Sequence, residues 1–228
     1  LQYDQFLKEH DVIVNTDNSK MILRVGERIS RAAEKWLGAN GYKGYLKDYK
    51  WEYNLVNDTT VNAWCMPGGK IVFYSGILKI AENENGVAAI MGHEVAHALA
   101  NHGQQRMSAA YIQSGLAMAG NFAINDESSR SVFNQSFGIV TSVGGMLPFS
   151  RSHESQADEI GLLIMAVAGY DPAGAPRLWK RMKSFKTGKE PPEFLSTHPS
   201  NDSRIDNLTK GIQKAKNEAK KFGITSFD

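Results

Sequence analysis

The sequence predicts an α+β fold that is predominantly helical and contains a small sheet of about three strands. Three observations support this class. Apolar residues recur at helical spacing in residues 18–37 and in most segments after residue 86, residues 50–74 alternate instead, and one helical segment contains the pattern H-E-x-x-H. The 228 residues, 42% of them hydrophobic, are enough to bury one core. We therefore expect a single domain over residues 1–228.

The first helix is predicted over residues 18–37, and Gly38 and Gly41 end it. Of the next segments, "WEYNLV" and "VNAWC" have the period of strands, and "KIVFY" is a run of residues that favour strands. The last of these follows the turn "MPGG" and is predicted near Lys70–Tyr74. The remaining helices are predicted at 86–106, 108–123, 130–143, 152–168, 173–184 and 203–221. The proline-bearing stretch "TGKEPPEFLSTHPSND" is predicted to be a long connection between helices. Connections of this length are usually either functional or mobile.

Composition excludes several classes of function. A formal charge of +2 produces no strong field, so we expect no nucleic acid as partner. A single cysteine, Cys65, excludes an internal disulfide framework and is interpreted as a packing residue. The longest apolar stretches, 109–124 and 137–149, fall short of the ~20 residues of a membrane-spanning helix. They are interpreted as core or active-site helices, with a membrane-facing patch as the alternative.

The stretch "MGHEVAHALANH" carries the strongest chemical signal. Residues four apart lie on one face of a helix, so His93 and His97 can present two ring nitrogens to one ion at about 2.0 to 2.1 Å. Glu94 lies beside them, where it can act as a general base toward water and not as a ligand. A shuffled chain of this composition would give the pattern roughly once in a hundred. The alternative is an amphipathic helix with solvated histidines.

A catalytic zinc site needs a third protein ligand. One family places a histidine six residues after the second ligand, but that position is Gly103 here. His102 is one residue short, so we assign it to the surface or to a polar contact outside the ligand set. Glu154, on the later helix, can instead complete a His–His–Glu site. Other divalent ions also bind such donors, so zinc is inferred from ligand type.

Asp158 lies one turn after Glu154 on the same helical face. It can accept the free ring N–H of a ligating histidine and so fix its tautomer. The alternative for both residues is an acidic patch on a solvated helix. His153 and Glu159, rotated off that face, are assigned to such a solvated surface.

Four blocks of the sequence resemble a known family, in its order. They are "NAWCMPGGKIVFYSGIL", "IMGHEVAHALANH", "PFSRSHESQADEIGL" and "STHPSNDSRI", and they cover about residues 50–210. The family is the zinc endopeptidases of metallopeptidase family forty-eight, which includes the CAAX prenyl proteases, the membrane protease HtpX and soluble bacterial-envelope relatives. The resemblance implies a zincin-like fold of the gluzincin type.

The resemblance also implies roles for particular residues. One zinc ion per chain would be held by His93, His97 and Glu154. Glu94 would be the base, and Asp158 would support a ligand. Two further roles come from the block "STHPSNDSRI" alone. His198 would either stabilise the oxyanion or, as a latch, occupy the position of the water, and Arg204 would support the site electrostatically.

Two departures from the family narrow the expected location. No long membrane-spanning helix and no tetratricopeptide array are evident in the sequence. Because the chain begins at Leu1, we expect either that a leader has been removed or that the sequence has been trimmed. The expectation is a protease of the bacterial cell envelope, periplasmic or attached to the membrane peripherally or by a lipid anchor. Its oligomeric state is not predicted.

The expected activity is zinc-dependent hydrolysis of peptide bonds in unfolded or misassembled proteins. A polypeptide substrate would lie extended along a sheet edge, predicted at Ile71, Val72, Phe73 and Tyr74. Gly68 and Gly69 suit the tight turn before this strand. Two other functions stay open. One is a latched, zinc-containing chaperone or assembly factor with little proteolysis, and the other is a zinc hydrolase of non-peptide amides or esters.

Overall fold

The computed structural model describes residues 2–124, 126–141, 147–185 and 192–228, with the side chains of 139–141 and 147–149 left out. A small mixed sheet packs against helices, as the sequence predicts. The α-helices are α1 (Gln2–Glu9), α2 (Asp17–Ala39), α3 (Leu78–Ala81), α4 (Glu84–Leu99), α5 (His102–Ala123), α6 (Glu127–Thr141), α7 (Leu147–Val167), α8 (Gly174–Ser184), α9 (Glu193–Thr197) and α10 (Asp202–Lys220). The expectation of one domain over 1–228 stays a prediction.

The sheet has four strands within the described residues, in the order β1-β2-β4-β3. They are β1 (Val12–Ile13), β2 (Glu52–Val56), β3 (Ala63–Met66) and β4 (Lys70–Tyr74). The sequence predicts about three strands, and β1 is the additional one. Its two residues are too few to show an alternating pattern. Strand β2 pairs parallel with β4, and residues 57–69 form the crossover that parallel strands require.

This order makes the predicted substrate edge wrong. Ile71, Val72, Phe73 and Tyr74 lie in β4, which pairs with β2 on one side and with β3 on the other. The backbone groups of β4 are therefore used by its two neighbours, and the first three of these side chains are fully buried. The free edge beside the helices belongs to β3, because β3 pairs only with β4 among the described strands.

Helix α4 is buried on all sides, since every residue from Gly86 to Leu99 is inaccessible. A helix that is apolar all round is typical of the centre of a fold. The side chain of Asn83 caps its first turn by accepting from Gly86 N–H. The predicted helix 86–106 is wrong in its continuity, because α4 ends at Leu99 and a second helix begins at His102. The chain breaks at Asn101, whose φ of 55° is left-handed, and α5 starts in a new direction.

Helices α4 and α7 cross through a pair of glycines. A Cβ atom on Gly161 would lie 2.9 Å from the backbone of Gly92 and His93. A Cβ on Gly92 would lie 2.9 Å from the carbonyl oxygen of Gly161. Glycine inside a helix destabilises it by about 0.5–1 kcal/mol relative to alanine. Here the two glycines allow the backbones of α4 and α7 to approach each other more closely than any side chain would permit. The crossing brings α7 against the face of α4 that carries the histidines.

Helices α5 and α6 form a hairpin, near the predicted 108–123 and 130–143; residues 142–143 lie outside the described part of the chain. The hairpin exposes Tyr111, Ile112, Leu116, Met118, Phe122 and Val132. Among the described residues, no helix combines the length and the apolar character needed to cross a membrane. The expectation of a core helix is therefore wrong for the exposed side chains of 109–124. Most side chains of the second stretch, 137–149, lie outside the described part of the chain.

Helices α7, α8 and α10 close the remaining side of α4. Helices α8 and α10 begin and end within one residue of the predicted bounds, whereas α7 begins at Leu147, five residues before its predicted start. Helix α10 packs on α7 and α8, and all three contribute to the core cluster around α4 and α2. Within the predicted long connection, residues 193–197 form α9, whereas residues 187–191 lie outside the described residues. Helix α9 ends immediately before His198, and the side chain of Asn201 caps α10 through Arg204 N–H.

Candidate metal centre

The α4 helix places His93 and His97 side by side in the interior. Their Nε2 atoms lie 3.1 Å apart, and both side chains are almost inaccessible. This spacing follows from the helical repeat, because residues four apart stack on one face. The solvated alternative for these histidines is excluded by their burial.

Glu154 reaches the same point from α7. Its carboxylate oxygens lie 3.3 Å from His93 Nε2 and 3.2 Å from His97 Nε2. His198, in the turn after α9, places its Nδ1 3.0 Å from Glu154 and 3.2 Å from His93 Nε2. The structure thus brings together the three predicted ligands and His198 at one buried point.

These donor atoms fit a tetrahedral metal ion. One atom from each of the four residues lies within 4.8 Å of all the others, and the closest approaches are 3.0–3.3 Å. The edges of a tetrahedron with ligand bonds of 2.0–2.1 Å measure about 3.3 Å. Three imidazole nitrogens facing one carboxylate are also the donor types that zinc prefers. His93, His97, Glu154 and His198 are therefore the residues that could hold an ion.

The charges around the site favour a cation. Burial acts to lower the pKa of His93, but its hydrogen bonds to Asp158 and Glu154 outweigh burial and raise the pKa to about 9. Burial raises the pKa of Glu154, but hydrogen bonds from His198 and His93 hold it below its ordinary range. Burial lowers the pKa of His97 to about 3, so that ring is neutral. Carboxylates that stabilise a proton on His93 would equally stabilise a metal ion.

Asp158 and Arg204 surround the outer side of His93. Asp158 Oδ1 lies 3.0 Å from His93 Nδ1 and accepts a hydrogen bond of 2.7 Å from Arg204. The Arg204 guanidinium also lies 3.2 Å from Glu154 and stacks 3.4 Å above the ring of Trp179. Arg204 is itself buried, so it holds both carboxylates in a region of low dielectric. Both residues lie where the sequence analysis places them, and their roles stay predictions.

Of the two places predicted for His102, the structure excludes the surface and shows the polar contact outside the ligand set, whereas the surface position predicted for His153 is wrong. His102 is fully buried, with its Nδ1 2.9 Å from His97 Nδ1. The turn at Asn101 is the physical reason, because it redirects the chain and returns His102 to the metal centre. His153 is buried by stacking on His102, with ring centroids 4.1 Å apart. Glu159 is solvated as predicted and pairs with Lys214.

Glu94 faces a cleft of about 240 Å³ next to strand β3. Its Oε1 is buried and makes no hydrogen bond to any described residue, and His198 Nε2 lies 3.5 Å away. Burial raises the pKa of Glu94. A buried carboxylate that faces a cleft with one oxygen free of hydrogen bonds is suited to accept a proton from water. Cys65 also lines this cleft, but burial raises the pKa of its thiol well above the ordinary value, as expected for a packing residue.

Sequence reasoning missed several residues of this centre. Trp179 packs edge-on against His93 at 5.7 Å between ring centroids, and Phe194 stacks on Trp179. Gln156 bonds to His102. These residues lie on amphipathic helices where nothing in the spacing distinguishes a site residue from a core or surface residue. Gly161 could have been found, because glycine in the interior of a helix signals close packing.

A buried H-E-x-x-H helix, a glutamate donor from a later helix and an adjacent sheet edge define a zincin-like metallopeptidase site. The sequence pattern of peptidase family M48 matches residues 26–212. The chain belongs to this family.

Two fungal relatives and one bacterial relative show the range of similarity. The mitochondrial metalloendopeptidase OMA1 of Saccharomyces cerevisiae is 38% identical over 182 residues, 75% of this chain and 49% of the relative. OMA1 of Schizosaccharomyces pombe is 34% identical over 189 residues, 82% of this chain and 53% of the relative. The beta-barrel assembly-enhancing protease of Escherichia coli is 28% identical over 156 residues, 66% of this chain and 32% of the relative.

The chain thus spans about half the length of the two OMA1 proteins. They match at higher identity and over more of the chain than the E. coli protease, and their names place them in mitochondria. The predicted location in a bacterial cell envelope is therefore wrong. That location was inferred from a resemblance to the bacterial-envelope branch of the family. The greater similarity to the mitochondrial OMA1 proteins does not support that branch.

Proposed function

We propose that the chain is a zinc-dependent endopeptidase that hydrolyses peptide bonds of unfolded or misassembled polypeptides. One observation carries the proposal: four metal-donor atoms converge beside Glu94, whose carboxylate has a buried oxygen without a hydrogen bond among the described residues. Relatives named metalloendopeptidases support it. Peripheral or lipid-anchored membrane association stays a prediction.

His93, His97 and Glu154 would hold the zinc ion. When bound, zinc polarises a scissile carbonyl and lowers the pKa of water to about 7. Glu94 accepts the proton of the attacking water and transfers it to the leaving amine. Its raised pKa suits this double role, because the carboxylate must bind the proton and then release it. Asp158 and Arg204 keep the surrounding charges in place.

The substrate backbone would lie along β3 (Ala63–Met66). This strand has a free side, and Ala63, Trp64 and Cys65 line the same cleft as Glu94. A peptide that adds to a free sheet edge is held by main-chain hydrogen bonds and needs no particular sequence. That mode of binding suits unfolded chains of varied sequence.

The position of His198 supports a latch more than an oxyanion donor. Its Nδ1 lies among the three ligands, where the attacking water would otherwise bind. A second candidate function follows from this placement: a permanently latched chaperone or assembly factor that binds its clients without cutting them. The third alternative, a zinc hydrolase of non-peptide amides or esters, is not supported by the free strand beside the cleft, because such a strand suits an extended peptide.

The test is cleavage of an unfolded protein such as reduced casein by the zinc-loaded chain and by Glu94→Gln. The substitution should retain zinc and the fold and abolish cleavage. A matched control is Glu159→Gln, which changes an exposed glutamate outside the cleft and should cleave like the wild type. Equal cleavage by Glu94→Gln and the wild type would refute the base assignment. No cleavage by any variant, His198→Ala included, would favour the latched binding protein.

A further inference from the structure

Two residues outside the ligand set form a hydrogen-bonded chain behind His97. His97 Nδ1 lies 2.9 Å from His102 Nδ1, and His102 Nε2 lies 2.9 Å from Gln156 Oε1. His102 is completely inaccessible, so no bulk water can replace it beside His97. The chain therefore runs from the metal centre through a buried ring to an amide on α7.

The backbone is built to place His102 there. On a continuous helix, a residue five positions after His97 would point about 140° away from it. The break at Asn101, with φ of 55°, reverses this and aims the ring back at His97. Asparagine is one of the few residues other than glycine that adopt this conformation readily. His153 then stacks on the His102 ring with an interplanar angle of 11°, which limits its rotation.

The hydrogen bonds determine which ring nitrogens carry protons. Gln156 Oε1 can only accept, so His102 carries its proton on Nε2. The Nδ1 of His102 is then an acceptor, and His97 must donate its Nδ1–H to it. That arrangement leaves the lone pair of His97 Nε2 directed at Glu154 and His93, where a metal ion would bind.

We propose that His102 is a positioning residue, which with Gln156 fixes the tautomer and the orientation of His97 as a metal ligand. Asp158 has the equivalent place behind His93. The two ligands of α4 are thus held by different partners, a charged carboxylate for His93 and a neutral ring for His97. The inference rests on the proposed function, because it requires His97 to bind the metal.

The test compares zinc affinities of the full chain, measured by competition with a chelator. His102→Ala should weaken zinc binding about 10- to 100-fold, the usual cost of losing a partner behind a ligand. His102→Asn should retain most of the affinity, because its amide oxygen can accept from His97 Nδ1–H. The control His153→Phe keeps a ring stacked on His102 and should bind zinc like the wild type. Thermal unfolding of the metal-free variants separates loss of fold from loss of ligand orientation.

A second measurement does not depend on zinc or on the stability of His102→Ala. In the metal-free, ¹⁵N-labelled wild type, NMR should show the proton of His97 on Nδ1 and that of His102 on Nε2.

Two results would overturn the role of His102 without affecting the proposed metal centre: a His97 proton on Nε2, or equal zinc affinities of His102→Ala and the wild type. Equal losses in His102→Ala and His102→Asn would also overturn it. A wild type that binds no zinc would overturn the metal centre as well.

Discussion

The glycine crossing of α4 and α7 yields the sharpest prediction about how the fold supports the site. In Gly161→Ala the added methyl group would lie 2.9–3.0 Å from backbone atoms of Gly92 and His93, closer than real contacts allow. The two helices must therefore separate by several tenths of an ångström. Overpacking of this kind costs about 1–3 kcal/mol, and the better helix propensity of alanine returns about 1 kcal/mol. The expected net loss of stability is therefore about 0–2 kcal/mol.

The same separation should weaken zinc binding, since Glu154 is on α7 and His93 adjoins Gly92 on α4. Metal–ligand distances tolerate only about 0.2 Å. Urea unfolding of the metal-free protein and zinc competition measure the two effects. Gly115→Ala is the matched control, because nothing lies within 4 Å of that added methyl group, and it should stabilise the protein by about 0.4–1 kcal/mol. A Gly161→Ala variant as stable as this control, with unchanged zinc affinity, would refute the close-packing argument.

Three further predictions concern single side chains. Glu154→Ala should lower the zinc content found by elemental analysis, and an unchanged zinc content would remove Glu154 from the ligand set. His198→Ala should raise the rate of casein cleavage, because it frees the fourth position, whereas a loss of about 10²- to 10³-fold would indicate an oxyanion donor instead. Burial acts to raise the pKa of Asp171, but bonds from Ala173 N–H and Arg177 lower it below its ordinary value of 3.8. Its stabilising effect is therefore complete above that pH and is lost as the pH falls through the folded-state pKa. Asp171→Asn should cost about 1 kcal/mol at pH 7 and less below about pH 4, which urea midpoints of variant and wild type measure; a constant difference would contradict the assignment.

Much of the metal centre could be predicted because its information is local. The spacing of His93 and His97 is set by the helical repeat, and Glu154 with Asp158 repeats that spacing on a second helix. Both pairs lie in the structure as the sequence suggests. His198 came from the resemblance of its sequence block, because no periodicity links a turn residue to a site far away in the sequence.

The errors have a common cause in tertiary structure. The β-favouring residues of "KIVFY" indicate a strand, but they contain no information on which strands lie beside it, so the sequence does not reveal that β4 lies between two neighbours. The surface alternative for His102 requires a helix that continues, whereas the chain breaks at Asn101. The break is accompanied by contacts of His102 with Gln156 and His153 of α7, which are distant in sequence and leave no periodic signal. The exposed hairpin of α5 and α6 likewise has a helical pattern without a core to bury it.

The central claim is that zinc binds between α4 and α7, and anomalous X-ray diffraction at the zinc edge from crystals of the zinc-loaded chain tests it most directly. We expect one zinc peak per chain, bonded to His93 Nε2, His97 Nε2 and the Glu154 carboxylate at about 2.0–2.2 Å. His198 or water should occupy the fourth position. No anomalous peak at this point, or a zinc ion bound by other residues, would contradict the claim.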